Sequence, residues 1–237
     1  ILNKKMTSPR QLALQIQINE KASLDNFYVS KNNLKTINIL KSLINQEDIG
    51  AQIFIDDHGS NGKTYLLQAI CNDFACKSYS SIYVPLQKFI NLEPSLLSGV
   101  DGLDLICIDD VDLISNHNEW ELALFNLINE CFEKKCFLLL SGNINQFEAI
   151  PDLTSRVKKM ELLRLKQIHE DELLEASQVI SKNLNIEISQ KNLNYLINHS
   201  RRDIKTIYKI LSQIEKRSLE RKKSIGLNLI KEVIQSS

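Results

Sequence analysis

Gly62, Lys63 and Thr64 close a polar turn, Asp57-His58-Gly59-Ser60-Asn61-Gly62-Lys63-Thr64, that follows the apolar run Gln52-Ile53-Phe54-Ile55. The second half of that turn fits the pattern G-x-x-x-x-G-K-[ST]. There, backbone N–H groups at a helix start cradle phosphates, the lysine reaches the β and γ oxygens, and the hydroxyl meets magnesium. Gly59, Ser60, Asn61, Gly62, Lys63 and Thr64 are therefore candidate ligands of a nucleotide phosphate chain. The first glycine of the pattern is replaced by Asp57, a residue that tolerates positive φ better than most. Taken alone, the same turn serves equally well as a surface cap on a helix. A second acidic element argues against that blander reading. About 45 residues further on, the apolar segment Leu103–Ile108 ends in the adjacent carboxylates Asp109 and Asp110. Acids at the end of a strand suit phosphoryl chemistry: the first, Asp109, holds Mg2+ through water, and the second, Asp110, orients an attacking water. The competing reading is a plain buried strand followed by an Asp-rich helix start, with Asp112 as the cap.

Two further polar residues follow strand-like or turn-like runs. Phe137–Leu140 leads into Ser141-Gly142-Asn143, where Asn143 is either a sensor of the terminal phosphate or a simple turn residue. Arg156, in Pro151-Asp152-Leu153-Thr154-Ser155-Arg156, is either a solvated surface charge or a cation aimed at another subunit's nucleotide. Positioning such groups requires a layered framework, and the pattern supplies one. Short apolar runs at 52–55, 81–84, 103–108 and 137–140 alternate with helical periodicity, as in Leu66, Leu67, Ile70 and Phe74. That alternation predicts a parallel sheet covered on both faces. Past residue 166 only helical spacing remains, so an α/β domain over 21–165 and an all-helical domain over 166–237 are expected. Residues 1–20 read as an extended tail with alternating Leu12, Leu14, Ile16 and Ile18. Ile1–Lys5 precede Met6, which looks like a start, and carry no argument.

Composition narrows the function classes. Lys plus Arg and Asp plus Glu each number 29, giving zero net charge, which excludes gripping nucleic acid by bulk positive charge. Hydrophobic residues at 43% and charged residues at 24% describe an ordinary globular chain. The five cysteines include the spacings Cys71–Cys76 and Cys131–Cys136, which suit free thiols in a reducing cytoplasm better than a zinc site. No apolar run is long enough to cross a membrane, so no membrane partner is expected.

These elements, in this order, resemble the DnaA-related AAA+ family, and more closely its short Hda branch. Ser23-Leu24-Asp25-Asn26-Phe27-Tyr28, Ser81-Ile82-Tyr83-Val84-Pro85-Leu86, Asp109-Asp110, Trp120–Phe125 and Leu153-Thr154-Ser155-Arg156 are similar to segments of that branch, across residues 7–236. The resemblance implies a three-layer P-loop AAA+ domain with a parallel sheet, followed by a small helical lid and no DNA-reading helix-turn-helix. It implies bound ADP (or ATP) with Mg2+ at Lys63 and Thr64, the Walker B acids at Asp109 and Asp110, sensor 1 at Asn143 and an arginine finger at Arg156. Sensor 2 falls at Lys205, where the family usually has arginine; lysine keeps the charge but loses the planar fork, and Arg202 one turn earlier is the alternative. The tail Gln11-Leu12-Ala13-Leu14-Gln15-Ile16 is similar to the branch's sliding-clamp motif, with Gln11 hydrogen bonding and Leu12, Leu14 and Ile16 as apolar anchors. By itself such a hexamer reads equally as an edge strand docking on the protein's own sheet. The implied role is negative regulation of replication initiation. Tethered to the DNA polymerase III β sliding clamp, and through it to DNA, the protein stimulates ATP hydrolysis by DnaA and turns over little nucleotide itself. An autonomous ATPase acting as helicase loader and a non-catalytic DnaA-binding paralogue are the alternatives; self-association is left open.

Overall fold

The computed structural model describes residues 19–45, 50–56, 59, 62–221 and 224–236. Five strands, β1 (Gln52–Asp56), β2 (Ser81–Pro85), β3 (Leu105–Asp109), β4 (Phe137–Gly142) and β5 (Glu161–Arg164), form one parallel sheet in the order β2-β3-β4-β1-β5. Period-2 alternation sends their side chains into two separate cores. Phe54, Ile106, Ile108, Leu138 and Leu140 join Trp120, Leu124 and Leu127 of α4 (Asn118–Lys134). Ile53, Ile55, Leu105, Cys107 and Leu139 face α1 (Leu34–Ile44) and α2 (Lys63–Cys76). The central strands are apolar on both faces because helices cover both.

Each expected strand is present within two residues at either end. β5 is the one that the apolar pattern does not announce. It is an edge strand in which Leu163 alone is buried, so four residues show a single inward side chain. Two short helices, α3 (Leu86–Phe89) and α5 (Pro151–Val157), sit on the connections after β2 and β4. From Leu173 onward the chain is helical: α6 (Leu173–Asn183), α7 (Gln190–Asn198), α8 (Ile204–Arg221) and α9 (Leu227–Gln235). They enclose their own core of Leu173, Leu193, Leu196, Ile207, Leu211, Ile214, Ile230 and Val233.

The sheet domain and the helical bundle are joined by an N-terminal strap, residues 19–33. On one side it is held to α2: Leu24 N–H donates to Asp73 (3.1 Å), and Asn72 donates to the Asn19 and Ala22 carbonyls. On the other it reaches the helical bundle, where Tyr28 Oη donates to Glu175 (3.1 Å), Lys31 N–H to Glu172 and Asn183 to the Asn26 carbonyl. Asn33 exchanges two 2.8 Å hydrogen bonds with the backbone of Lys166. The bundle is thus clipped to the sheet domain beside α2.

Candidate functional site

Gly62, Lys63, Thr64, Asp109 and Asp110 gather at the C-terminal ends of the strands, where open α/β sheets bind ligands. Gly62 opens α2 with φ 103°, a left-handed conformation that suits glycine, and a Cβ there would lie 2.9 Å from the Phe27 ring. The N-cap is a glycine, which offers no side chain to the first-turn N–H groups, and the helix dipole adds positive potential there. Lys63 and Thr64 occupy that first turn. Thr64 Oγ1 donates to Asp109 Oδ2 at 2.6 Å, joining the helix start to the end of β3.

Asp109 is the hub of this end of the sheet. It is 1% exposed and accepts from three hydroxyls: Thr64, Tyr83 Oη at 2.9 Å, and Ser141 Oγ on the other carboxylate oxygen. Burial, with the Asp109 charge added, pushes the Tyr83 phenol well up, so it remains a donor. Asp110 beside it adopts φ 60° and ψ 47°, a left-handed conformation in a non-glycine residue, and is partly buried. Burial raises its carboxyl above the usual range; Asp109 and Asp112 push the same way, and Lys63 and Lys205 pull it back. Asp110 therefore sits under electrostatic load between two lysines and two acids.

Gly62, Lys63, Thr64 and Asp110 line a cleft of about 980 Å³ whose other walls are the strap, through Phe27 and Tyr28, and α8, through Lys205 and Tyr208. This fits a magnesium nucleotide: a glycine-opened helix start for the phosphates, a hydroxyl and a buried acid side by side for the ion, and ring-bearing walls for a base. The Arg156 side chain lies elsewhere, exposed in the last turn of α5, and makes no hydrogen bond or ion pair to a described residue.

The Hda lid-domain family model matches residues 170–234, which carry the helical bundle. An uncharacterised protein of Haemophilus influenzae is 30% identical over 231 residues, spanning 95% of this chain and 98% of that one. The chain belongs to the Hda-like, DnaA-related family. Solved structures agree on the AAA+ fold. Domain III of the Thermotoga maritima replication initiation protein DnaA aligns with a TM-score of 0.78 at 17% identity, over 93% of this chain and 98% of that one. AMPPCP-bound DnaA from Aquifex aeolicus aligns with a TM-score of 0.68 at 21% identity, over 87% and 71%.

Within this family fold, the candidate residues separate into those the cleft gathers and those it does not. Lys205 lines the cleft, whereas Arg202 turns away to Glu170 (2.9 Å) and Asn198 (3.2 Å), so lysine holds the lid-side position. Asn143 is not among the cleft-lining residues. Its side-chain oxygen accepts from Asn145 N–H (3.1 Å) and its own N–H donates to Asp112, so in this structure it shapes its turn. Ser141, two residues earlier, is the β4 residue that touches Asp109. Asp57, His58, Ser60, Asn61, the tail with Gln11, Leu12, Leu14 and Ile16, and the clamp-binding expectation lie outside the described residues. Sequence reasoning missed Tyr83 and Ser141; the available signal was a polar residue inside an apolar strand. It also missed Glu121, a 2% exposed carboxylate on α4 that accepts from Asn116 N–H (2.9 Å) and Ile150 N–H (2.7 Å), fixing the start of α5. Among the described residues no helix is long and apolar enough to cross a membrane, and no cluster of three His, Cys, Asp or Glu side chains suits a metal.

Proposed function

We propose that this DnaA-related protein is a negative regulator of replication initiation that holds ADP (or ATP) with Mg2+ in the cleft and offers Arg156 to the ATP of DnaA. Lys63 and the α2 N-terminus would hold the phosphates, Thr64 and Asp109 the ion, and Lys205 the lid side. The bound ion would supply charge neutralisation along the phosphate chain. The chain's own residues do the rest. Nucleotide between strap, α2 and α8 ties the lid to the sheet, and a fixed lid gives DnaA a defined surface. Arg156 then contributes positive charge where the partner's transferred phosphoryl group becomes most anionic. The tail Gln11–Ile16 would tether the protein to the sliding clamp, and through it to DNA in the cytoplasm.

The observation that carries this reading is the pairing of Thr64 with Asp109 inside a cleft closed by the Hda-type lid. The bare, exposed Arg156 favours action on a partner over autonomous turnover. Two measurements test it. Denaturing the purified protein should release adenine nucleotide in near-equimolar amount. Adding the protein to ATP-bound DnaA with DNA-loaded clamp should accelerate hydrolysis well beyond the sum of the separate rates. Rapid ATP turnover by the protein alone would favour the helicase-loader alternative, and DnaA binding with unchanged hydrolysis the paralogue.

A further inference from the structure

Among the described residues, the hydrogen bonds between the lid helices and the rest of the chain end on the strap. Lys31 N–H donates to Glu172 (3.2 Å), Tyr28 Oη to Glu175 (3.1 Å) and the Asn183 amide to the Asn26 carbonyl. The strap therefore runs antiparallel along α6, from the turn before it to its last residue. Glu175 and Asn183 stand about 12 Å apart along the helix axis. At the strap's other end Asn33 bonds both backbone groups of Lys166, at 2.8 Å each. Lys166 lies in the segment 165–169, which leads from β5 to the lid and belongs to no helix or strand. That segment is the pivot of the lid. The strap is fixed beside it and fastened again far out along the lever.

The two sides of the strap are built differently. Toward the sheet domain it is apolar: Ala22 and Leu24 are buried in the core with α1 and α2, and Phe27 and Val29 pack against it. Toward the lid it is polar. The lid core is complete without any strap residue, and Glu175 is exposed. Opening an apolar seam returns buried area to water and is costly. A polar, solvent-facing seam exchanges its hydrogen bonds for water at small net cost. When lid and sheet separate, the strap must therefore stay on α2 and part from α6. Burial, with Glu175, Glu172 and Asp171 facing it, pushes the Tyr28 phenol up to about 12, so its hydroxyl remains a donor at neutral pH. Strap and lid are also adjoining walls of the cleft, Phe27 and Tyr28 on one side and Ile180, Asn183, Lys205 and Tyr208 on the other. Movement at this seam changes access to the cleft.

We infer that the seam between the strap and α6 is the latch of the lid: nucleotide enters and leaves when Glu175 parts from Tyr28, Glu172 from Lys31 and Asn183 from Asn26. This rests on reading the cleft as the nucleotide site, and it makes the residence time of the nucleotide a property of the seam. The test uses the full chain and stopped-flow fluorescence with mant-ADP, an ADP carrying an N-methylanthraniloyl group. Glu175→Ala, whose altered side chain lies outside the cleft, removes the acceptor of Tyr28. Release and association should both quicken by about three- to tenfold, the scale of one exposed charge-assisted hydrogen bond, with Kd held within about twofold. Glu175→Gln keeps an acceptor and should return both rates to near the parent's. Tyr28→Phe keeps the ring and should release mant-ADP as fast as Glu175→Ala. Combining the two should add nothing, because they remove the same bond. Unchanged rates in Glu175→Ala overturn the inference. So does faster release with Kd raised in step, which would make Glu175 a support of the bound state alone. A parent chain that takes up no mant-ADP sinks the cleft reading and the latch with it, whereas the other two failures leave that reading standing.

Discussion

Asp109 and Arg156 differ in how completely the protein has committed them. The acid is buried at the end of β3 and accepts three hydroxyls from α2, β2 and β4, so its position is over-determined. The arginine stands exposed at the end of a seven-residue helix with no partner among the described residues. A group that works on the protein's own ligand has to be held before the ligand arrives, because looseness there costs affinity. A group destined for another molecule must instead stay solvated and free of an internal pair, since an ion pair would have to break before it could act. The contrast therefore supports the proposal of a resident nucleotide at one region and a partner at the other, and each half of that proposal can be broken separately.

The largest effect is expected at the uncommitted residue. Arg156→Ala should lower stimulated hydrolysis on DnaA by about 10³-fold or more, the range seen when a transition-state arginine is removed from phosphoryl transfer. Released nucleotide and melting temperature should not move, because an exposed side chain without partners contributes within about 0.5 kcal/mol. Stimulation that persists in a single-turnover assay would make Arg156 an ordinary surface charge. The converse variant is Lys63→Ala. Losing one charge-assisted contact to phosphate, worth about 1.5–3 kcal/mol, should weaken ADP binding by ten- to more than a hundredfold by equilibrium titration. DnaA stimulation should fall only in proportion to the nucleotide lost, and excess ADP should restore it.

How much of this was legible in the sequence follows from the kind of signal each residue carries. The apolar runs of β1 to β4 announce themselves because both faces of the sheet are buried. β5 does not, since its edge position leaves Leu163 as the single inward side chain. Lys63, Thr64, Asp109 and Asp110 could be found by local spacing in one chain segment each. The partners of Asp109 could not, because Tyr83 and Ser141 meet it only through the strand order β2-β3-β4. The lid-side cation shows the same limit. Lys205 with Arg202 as its alternative is as far as local spacing goes; in the fold Lys205 lines the cleft, and Arg202 pairs with the distant Glu170.

Glu121 joins the two regions and was equally invisible, being a charged residue on a helix that reads as solvent-facing until α4 is packed. Its two carboxylate oxygens hold the backbone of Asn116, just past the loop that follows Asp110, and of Ile150, the N-cap of α5. Glu121→Gln keeps the shape but presents an amide N–H to one of those donors. It should cost about 1–3 kcal/mol in thermal or denaturant unfolding. If α5 must be positioned for Arg156 to act, the variant should also lose stimulation while retaining ADP. Equal losses of both would reduce Glu121 to a general stabiliser, and the separation of the two regions would then be less complete than Asp109 and Arg156 suggest.

The smallest effect is the one whose sign is least intuitive. Asp110 is strained in the left-handed region, and burial raises its carboxyl above the ordinary range, so at neutral pH its charge opposes folding. A carboxyl with a raised folded-state pKa contributes stability below its unfolded pKa and loses that contribution as pH rises through the folded value. Asp110→Asn removes the charge, and asparagine tolerates the same backbone. The variant should therefore be more stable than the parent at pH 7, by about 0.5–1 kcal/mol. That gap should close as pH falls through the carboxylate range, where the parent's Asp110 becomes neutral as well. Thermal melts of both proteins across pH 3–8 measure it. A variant less stable at pH 7 would mean that Lys63 and Lys205 more than compensate the burial, placing Asp110 with the committed Asp109 rather than among groups kept under tension for a ligand.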